Sequence, residues 1–124
     1  MHNSFQKNLL IIMELGGYPD FRPLYQQLGY DVTVMNNMRK VISTLKKQSF
    51  KTIVAEFNHR PDFRDRTSNL ESLLAVVQKH EQTRVIVFYE KEHQILLDKL
   101  HHRFPSFQAL AFPIDEKVLE MHLK

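Results

Sequence analysis

Two hydrophobic patterns alternate along the chain. Short runs in which nearly every residue is apolar are typical of strands buried on both faces, and apolar residues three and four positions apart are typical of amphipathic helices. The first run, residues 9–13, ends at Glu14 and a pair of glycines, and a helical pattern follows it. The sequence predicts strands at residues 9–13, 30–34, 52–55, 85–89 and 108–112.

A helix is expected after each strand, because an apolar face at helical spacing follows each of them. These faces are Phe21, Leu24, Tyr25, Leu28; Met38, Val41, Ile42, Leu45; Leu70, Leu73, Leu74, Val77; Ile95, Leu96, Leu100, Phe104; and Val118, Leu119, Leu123. End signals accompany them. Gly29 suits a left-handed C-terminal position, Asn36 or Asn37 and Asp115 suit N-caps, and Ser68 with Glu71 forms a capping box.

Five alternations of strand and helix predict an α/β fold with a parallel sheet and helices on both faces. Strands one, three and four are almost wholly apolar and belong in the centre. The second strand alternates apolar and polar residues, as an edge strand does. This pattern favours a flavodoxin-like, doubly wound sheet of order 2-1-3-4-5 over a closed barrel, which needs eight units. With no linker visible, we expect one domain over residues 1–124.

Composition narrows the function classes. The 124 residues are 43% hydrophobic and 25% charged, as in ordinary globular proteins. The absence of cysteine excludes disulfides, thiolate metal sites and cysteine nucleophiles and fits a reducing cytoplasm. A net charge of +3 is too small to indicate nucleic-acid binding. The apolar run near the start is too short for a signal peptide or a membrane span.

A functional crevice in such a sheet lies beyond the carboxyl ends of the strands, where the strand order reverses. Strand one delivers Met13 and Glu14 to this rim, and strand three delivers Glu56. The other rim residues are Tyr89 and Glu90 from strand four and Phe112 and Pro113 from strand five. Two carboxylates close together need a cation, a shared proton or separation.

The ordered segments NLLIIME, LGYDVTV, FKTIVAEF, RVIVFY and QALAFPIDEKVL resemble the receiver domain of two-component response regulators over nearly the whole chain. The resemblance implies a phosphorylation pocket. Its acidic metal-binding pair falls on Met13 and Glu14, and its phosphoacceptor aspartate on Glu56. Its hydroxyl residue falls on Tyr89, or alternatively Phe88. Its lysine falls on Phe112, which leaves only the following Pro113.

These replacements predict a degenerate receiver that is not phosphorylated by the ordinary route. Aspartyl phosphorylation needs a well-placed carboxylate, a divalent cation and a cationic side chain on the transferring group. We therefore expect no cofactor, no residual magnesium site at Glu14 and Glu56, and no catalytic residue. The resemblance implies signalling through protein contacts. The expected partner is a protein or a second copy bound through the fourth helix, fifth strand and fifth helix, and an output domain could follow in a longer parent.

Several alternatives stay open. Glu56 either mimics a phosphorylated state or is a solvated acid, and Tyr89 is either a switch aromatic or a cap on the core with its hydroxyl in water. The chain could instead be a small flavodoxin-like ligand binder or enzyme that uses the crevice at Glu14, Gly16 and Glu56, or a receiver phosphorylated on Glu56. We expect surface roles, not metal or phosphate sites, for the remaining candidates: His93, His101, His102, Arg60, Arg64 and Arg66.

Overall fold

The computed structural model describes residues 7–58 and 70–124, and these residues form a five-stranded sheet flanked by helices. The strands are β1 (Asn8–Ile12), β2 (Asp31–Met35), β3 (Thr52–Glu56), β4 (Arg84–Tyr89) and β5 (Gln108–Ala111). The helices are α1 (Arg22–Gln27), α2 (Met38–Leu45), α3 (Glu71–Val77), α4 (Gln94–Arg103) and α5 (Glu116–Leu123), with a 3-10 turn at Lys91–His93 before α4.

The sheet has the order β2-β1-β3-β4-β5, and every pairing is parallel. The predicted flavodoxin-like fold, strand order and edge position of β2 are thus confirmed. All residues of β3 are buried, whereas β2 exposes three of its five. The burial of each strand follows from its neighbours, since a central strand has helices over both faces and an edge strand is only half covered.

Two hydrophobic cores lie on opposite sides of the sheet. One packs α2, α3 and α4 against alternate strand residues such as Ile53 and Val87. The other packs α1 and α5 against residues of opposite parity, such as Val54 and Phe88. Successive strand residues point to opposite faces of the sheet. Two residues at the strand ends can therefore contact each other only if their side chains point to the same face.

Helix ends agree with most of the predicted signals. The Asn37 side chain accepts a hydrogen bond from Lys40 N, and Asp115 accepts from Lys117 N and Val118 N at 2.9 and 3.3 Å. Gly29 has φ +92°, which the left-handed end of α1 requires. Ser68, the first member of the predicted capping box, lies outside the described residues.

Two predicted core positions are wrong. Ile95 is 74% exposed, and its place in the core is taken by Leu97, which is fully buried with Leu100. Helix α4 begins only after the 3-10 turn, so its buried face runs through Leu97, Leu100 and Phe104. Val118 is also exposed, because α5 turns Leu119 and Leu123 toward the sheet.

Among the helices in the described ranges, none is long and apolar enough to cross a membrane.

Candidate functional site at the carboxyl ends of the strands

Glu56, the last residue of β3, points into the molecule at the strand rim. Its side chain is only 5% exposed, and Oε1 accepts hydrogen bonds from Leu15 N and Gly16 N at 3.3 Å each. The loop after β1 can present these amides because Gly16 has φ +78° and Gly17 has φ +96°, a left-handed conformation that glycine adopts without strain. Glu56 is therefore not the solvated acid of the simpler alternative.

Opposing effects act on the Glu56 carboxyl. Burial raises its pKa above the ordinary value of 4.5, while the backbone N–H groups of Leu15, Gly16 and Glu14 lower it and the charge of Glu14 raises it further. Burial is the largest of these effects, so the net direction is upward. The two predicted rim carboxylates, Glu14 and Glu56, do lie close enough to influence each other, and Glu14 is half-buried.

Aromatic rings cover the same region. Tyr18, in the loop between β1 and α1, packs on Phe88 with ring centroids 5.6 Å apart and edge-on against Phe112 at 5.9 Å. Phe21 meets the other side of Phe88 at 6.0 Å. Such offset and edge-on pairs contribute about 0.5–1.5 kcal/mol each beyond the apolar area that they bury. We call Tyr18, Phe88 and Phe112 the rim aromatic cluster.

The register of β3 and β4 explains which aromatic faces Glu56. Glu56 lies beside Phe88 in the sheet, and Phe88 packs in the α1/α5 core together with Val54, two residues before Glu56. Tyr89 points to the other core. Of the two positions considered for the family's hydroxyl residue, Phe88 is the one on the face of Glu56.

Tyr89 makes a different contact. Its ring is buried, and its hydroxyl donates a 2.6 Å hydrogen bond to Gln94 Oε1 at the start of α4. Gln94 in turn donates to Asp98 Oδ1 at 3.0 Å. The hydroxyl is thus engaged by protein and not left in water, and it connects the end of β4 to α4.

Tyr18 carries a perturbed phenol. Burial, followed by the nearby charges of Glu90 and Glu56, raises its pKa from 10.0 to about 12. Both causes disfavour the phenolate, because burial and neighbouring anions each penalise a negative charge. Tyr18 is accordingly an uncharged ring at neutral pH, suited to packing over the rim.

Met13, Phe112 and Pro113 bring no charge to the rim. Met13 is half-buried, and its backbone N–H donates to Met35 O at 2.9 Å. Phe112 is half-buried and Pro113 is exposed after a cis peptide bond. Neither Phe112 nor Pro113 can supply the cation that the family resemblance places at the end of the fifth strand.

One cavity beside Glu56 is small. A cavity of about 30 Å³ lies under the loop, bounded by Ile11, Val54, Tyr18, Phe88 and Glu56 among others. This volume suits a single water molecule. Among the described residues, this cavity is bounded by the Glu56 side chain, aromatic rings and apolar strand residues.

The described ranges contain no group of three or more His, Asp or Glu side chains that could hold a metal ion. His101 Nε2 lies 3.0 Å from Phe107 O, and its ring stacks on that of Phe107 at a centroid distance of 4.3 Å. His93 packs near Phe57, with ring centroids 6.0 Å apart. His102 is exposed at the end of α4. Arg60, Arg64 and Arg66 lie outside the described residues.

Sequence reasoning named Gly16 as part of the alternative ligand crevice, but it missed Tyr18, Leu15 and the amide hydrogen bonds to Glu56. Two adjacent glycines after a buried strand are a signal for a loop with exposed N–H groups. No sequence signal showed that Tyr18 would fold back over β4, because that contact depends on the course of the loop between β1 and α1.

No family model and no curated relative matches the sequence. Solved structures do match the fold. A response regulator receiver domain protein from Clostridium thermocellum superposes with a TM-score of 0.70 at 14% identity, over 95% of this chain and 90% of that one. The receiver domain of a Francisella response regulator gives 0.66 at 18% identity, over 95% and 93%.

A third structure is a Burkholderia pseudomallei response regulator with a phosphorylated aspartic acid, a calcium ion and citrate. It gives a TM-score of 0.61 at 15% identity, covering 96% of this chain and 67% of that one. At these identities the likeness concerns the fold and not the chemistry of the site. The chain therefore has the fold of a response regulator receiver domain.

Proposed function

We propose that this chain is a receiver-like signalling module that does not undergo aspartyl phosphotransfer and that acts through protein–protein contacts. The observation that carries the proposal is the state of Glu56: its carboxylate is buried and bound to the loop amides of Leu15 and Gly16. The position that the family resemblance assigns to the phosphoacceptor is thus engaged inside the protein.

The bonding of Glu56 argues against a role as nucleophile. A carboxylate must present a free oxygen lone pair in line with the leaving group, and misplacement by about 1 Å can lower a rate roughly 100-fold. Here the carboxylate is 5% exposed, and one oxygen already accepts two hydrogen bonds. Attack on a phosphodonor by this oxygen, Oε1, would first require these bonds to break.

The surroundings of Glu56 argue against a phosphoryl pocket with a divalent cation. Mg²⁺ prefers near-octahedral oxygen ligands, and phosphoryl transfer needs positive charge on the transferring oxygens. Met13 offers a thioether side chain, and Phe88 and Phe112 offer rings where the resemblance places a hydroxyl and an amine. These residues do not fit Mg²⁺, so we propose that the module works without a metal cofactor.

Glu56 also supports a permanent conformation of the rim. The Burkholderia structure contains a phosphorylated aspartic acid and a calcium ion. In this chain a built-in carboxylate satisfies the loop amides without modification. We infer that the module is held in one signalling state and that its output does not wait for a phosphodonor.

The proposed contact surface is formed by α4, β5 and α5, and we call it the α4–β5–α5 surface. Its apolar side chains are exposed: Ile95 by 74%, Met121 by 74% and Val118 by 37%. Strand β5 lies at the sheet edge between them and is only half-covered. Exposed apolar groups beside an open strand edge are typical of protein interaction sites, and we propose a second copy as the partner.

Phosphotransfer is tested by mass spectrometry after incubation with acetyl phosphate and Mg²⁺. We expect no gain of one phosphoryl mass in the wild type or in Glu56→Gln. A receiver domain of known activity, run in parallel, shows that the donor is competent. A phosphoryl adduct on the wild type that is absent in Glu56→Gln would overturn the proposal.

The contact surface is tested by sedimentation velocity over a range of protein concentrations. We expect a dimer that dissociates in Met121→Asp and Ile95→Asp. The matched control is Val34→Asp, since Val34 is an exposed apolar residue, 41% exposed, on the opposite edge strand β2. A dimer that survives both substitutions, or one equally weakened by Val34→Asp, would contradict the assignment of the surface.

A further inference from the structure

A notch opens at the amino ends of β4 and β5. Glu56 lies at the opposite end of the sheet, where the strands finish. Strand β5 begins beside Ile86, so Arg84 and Val85 of β4 have no β5 residue next to them. The chain between α4 and β5 runs past this gap through Phe104 and Phe107. The two-residue offset between the strands leaves space that no strand fills.

The notch holds a cavity of about 250 Å³. Its apolar walls come from α3, β4 and the segment before β5: Leu74, Val77, Val85, Phe104 and Phe107, all buried. Its polar lining, which is half-buried or exposed, is Gln78, His80, Glu81, Thr83 and Ser106. The cavity therefore has apolar walls and a polar mouth.

Both aromatic residues of the walls make contacts with α4. Phe104 N donates to Leu100 O at 2.9 Å, which ties Phe104 to the end of α4. The carbonyl of Phe107 lies 3.0 Å from His101 Nε2, and the Phe107 ring stacks on the imidazole of His101 at 4.3 Å. The backbone of Phe104 and the ring of Phe107 are thus each held by α4.

We propose that this notch is a binding site for a small aromatic molecule of one or two rings that carries a hydrogen-bond donor. An apolar cavity of about 150 Å³ already accepts benzene, and drug-sized pockets begin at about 300 Å³. The notch lies between these sizes and matches a ring system such as indole. The ring enters between Phe104 and Val77, and the donor group stays at the mouth.

The mouth of the notch includes one charged hydrogen-bond acceptor, Glu81. The Glu81 carboxylate makes no ion pair with another residue of the described ranges, and it can accept a hydrogen bond from the ligand. Lys51 and Arg84 line a neighbouring open recess together with Glu81. The positive charges near the Glu81 carboxylate therefore lie outside the notch. An uncharged N–H or O–H donor fits this arrangement without adding a charge to it.

The proposal is tested with ¹⁵N-labelled protein and indole in a ¹H–¹⁵N correlation titration. For a ligand of nine non-hydrogen atoms we expect a dissociation constant on the order of 1 mM. Saturable shift changes should be confined to the α3 end, residues 83–86 and residues 104–108. The rim loop around Gly16 should not move, which keeps this result independent of the phosphotransfer test.

Two blocking variants and one control variant locate the site. Ser106→Trp places a large ring over the mouth from an exposed position and should weaken indole binding at least about tenfold. Ser43→Trp, on the exposed face of α2, is the matched control and should leave it unchanged. Val77→Phe fills the cavity from inside as a second blocking variant. Unsaturated or scattered shifts in the wild type, or binding that Ser106→Trp leaves intact, would overturn the proposal.

Discussion

The Glu56 carboxylate and the Gly16 backbone N–H, 40 residues apart in sequence, are joined by a hydrogen bond of 3.3 Å at the rim of the sheet. The bond ties the end of the central strand β3 to the loop after β1. It also gives the buried carboxylate a partner, which a buried charge requires if it is not to cost several kcal/mol. The stability of the rim should therefore depend on the acceptor at position 56.

Glu56→Ala should lower the free energy of unfolding by about 1–3 kcal/mol, because the loop N–H groups lose their acceptor in a buried place. Glu56→Gln should cost less, since its side-chain carbonyl can accept the same bonds without burying a charge. Urea denaturation at pH 7 measures both. Equal losses in the two variants would show that the acceptor is not what stabilises the rim.

The raised pKa of Glu56 determines whether its contribution to the free energy of unfolding rises or falls with pH. The native state holds this proton more tightly than the unfolded chain, whose pKa is near 4.5. The stabilisation that protonated Glu56 contributes is fully present below the pKa of the unfolded chain. It decreases as the pH rises from about 4.5 through the pKa of the folded state. The free energy of unfolding of the wild type, minus that of Glu56→Gln, should accordingly decrease from pH 4 to pH 8. A flat or rising difference contradicts the assignment.

Tyr18 should stabilise the rim by its ring and not by its hydroxyl. Tyr18→Ala removes contacts with Phe88 and Phe112 and should cost about 1–3 kcal/mol, while Tyr18→Phe should be nearly neutral. Thermal unfolding compares the two variants. A loss in Tyr18→Phe as large as that in Tyr18→Ala would assign the effect to the hydroxyl.

The same residue makes a spectroscopic prediction. The chain has 4 tyrosines, and burial raises the pKa of Tyr18 to about 12. The difference between the absorbance titrations of the wild type and Tyr18→Phe near 295 nm should show a phenol that ionises near pH 12. A difference curve centred near pH 10 would place Tyr18 in water.

Asp115 should support the α4–β5–α5 surface through the helix that carries it. Asp115→Ala removes two cap hydrogen bonds from α5 and should cost about 1 kcal/mol. It should also weaken dimerisation, because α5 carries Val118 and Met121. Asn37→Ala removes the cap of α2 on the other face of the sheet and is the control. It should reduce stability by a similar amount and leave the dimer intact in sedimentation.

The pattern of apolar and polar residues was enough to predict the fold. Continuous apolar runs marked β1, β3 and β4 as central, and the alternating pattern of β2 marked an edge. The end of each strand placed Glu14, Glu56, Phe112 and Pro113 at one rim. These predictions succeed because a strand or helix that is buried on one or two faces has a local, periodic pattern of apolar residues.

The contacts made at the rim could not be predicted from the sequence pattern. Whether Phe88 or Tyr89 faces Glu56 depends on strand parity, which shifts with a single residue at a strand end. The fold of Tyr18 over Phe88 and the bond from Gly16 to Glu56 depend on a loop path with no periodic pattern. The notch beside Val85 arises from a two-residue offset between β4 and β5. Contacts between segments that are distant in sequence depend on how the elements pack, and they leave no local pattern in the chain.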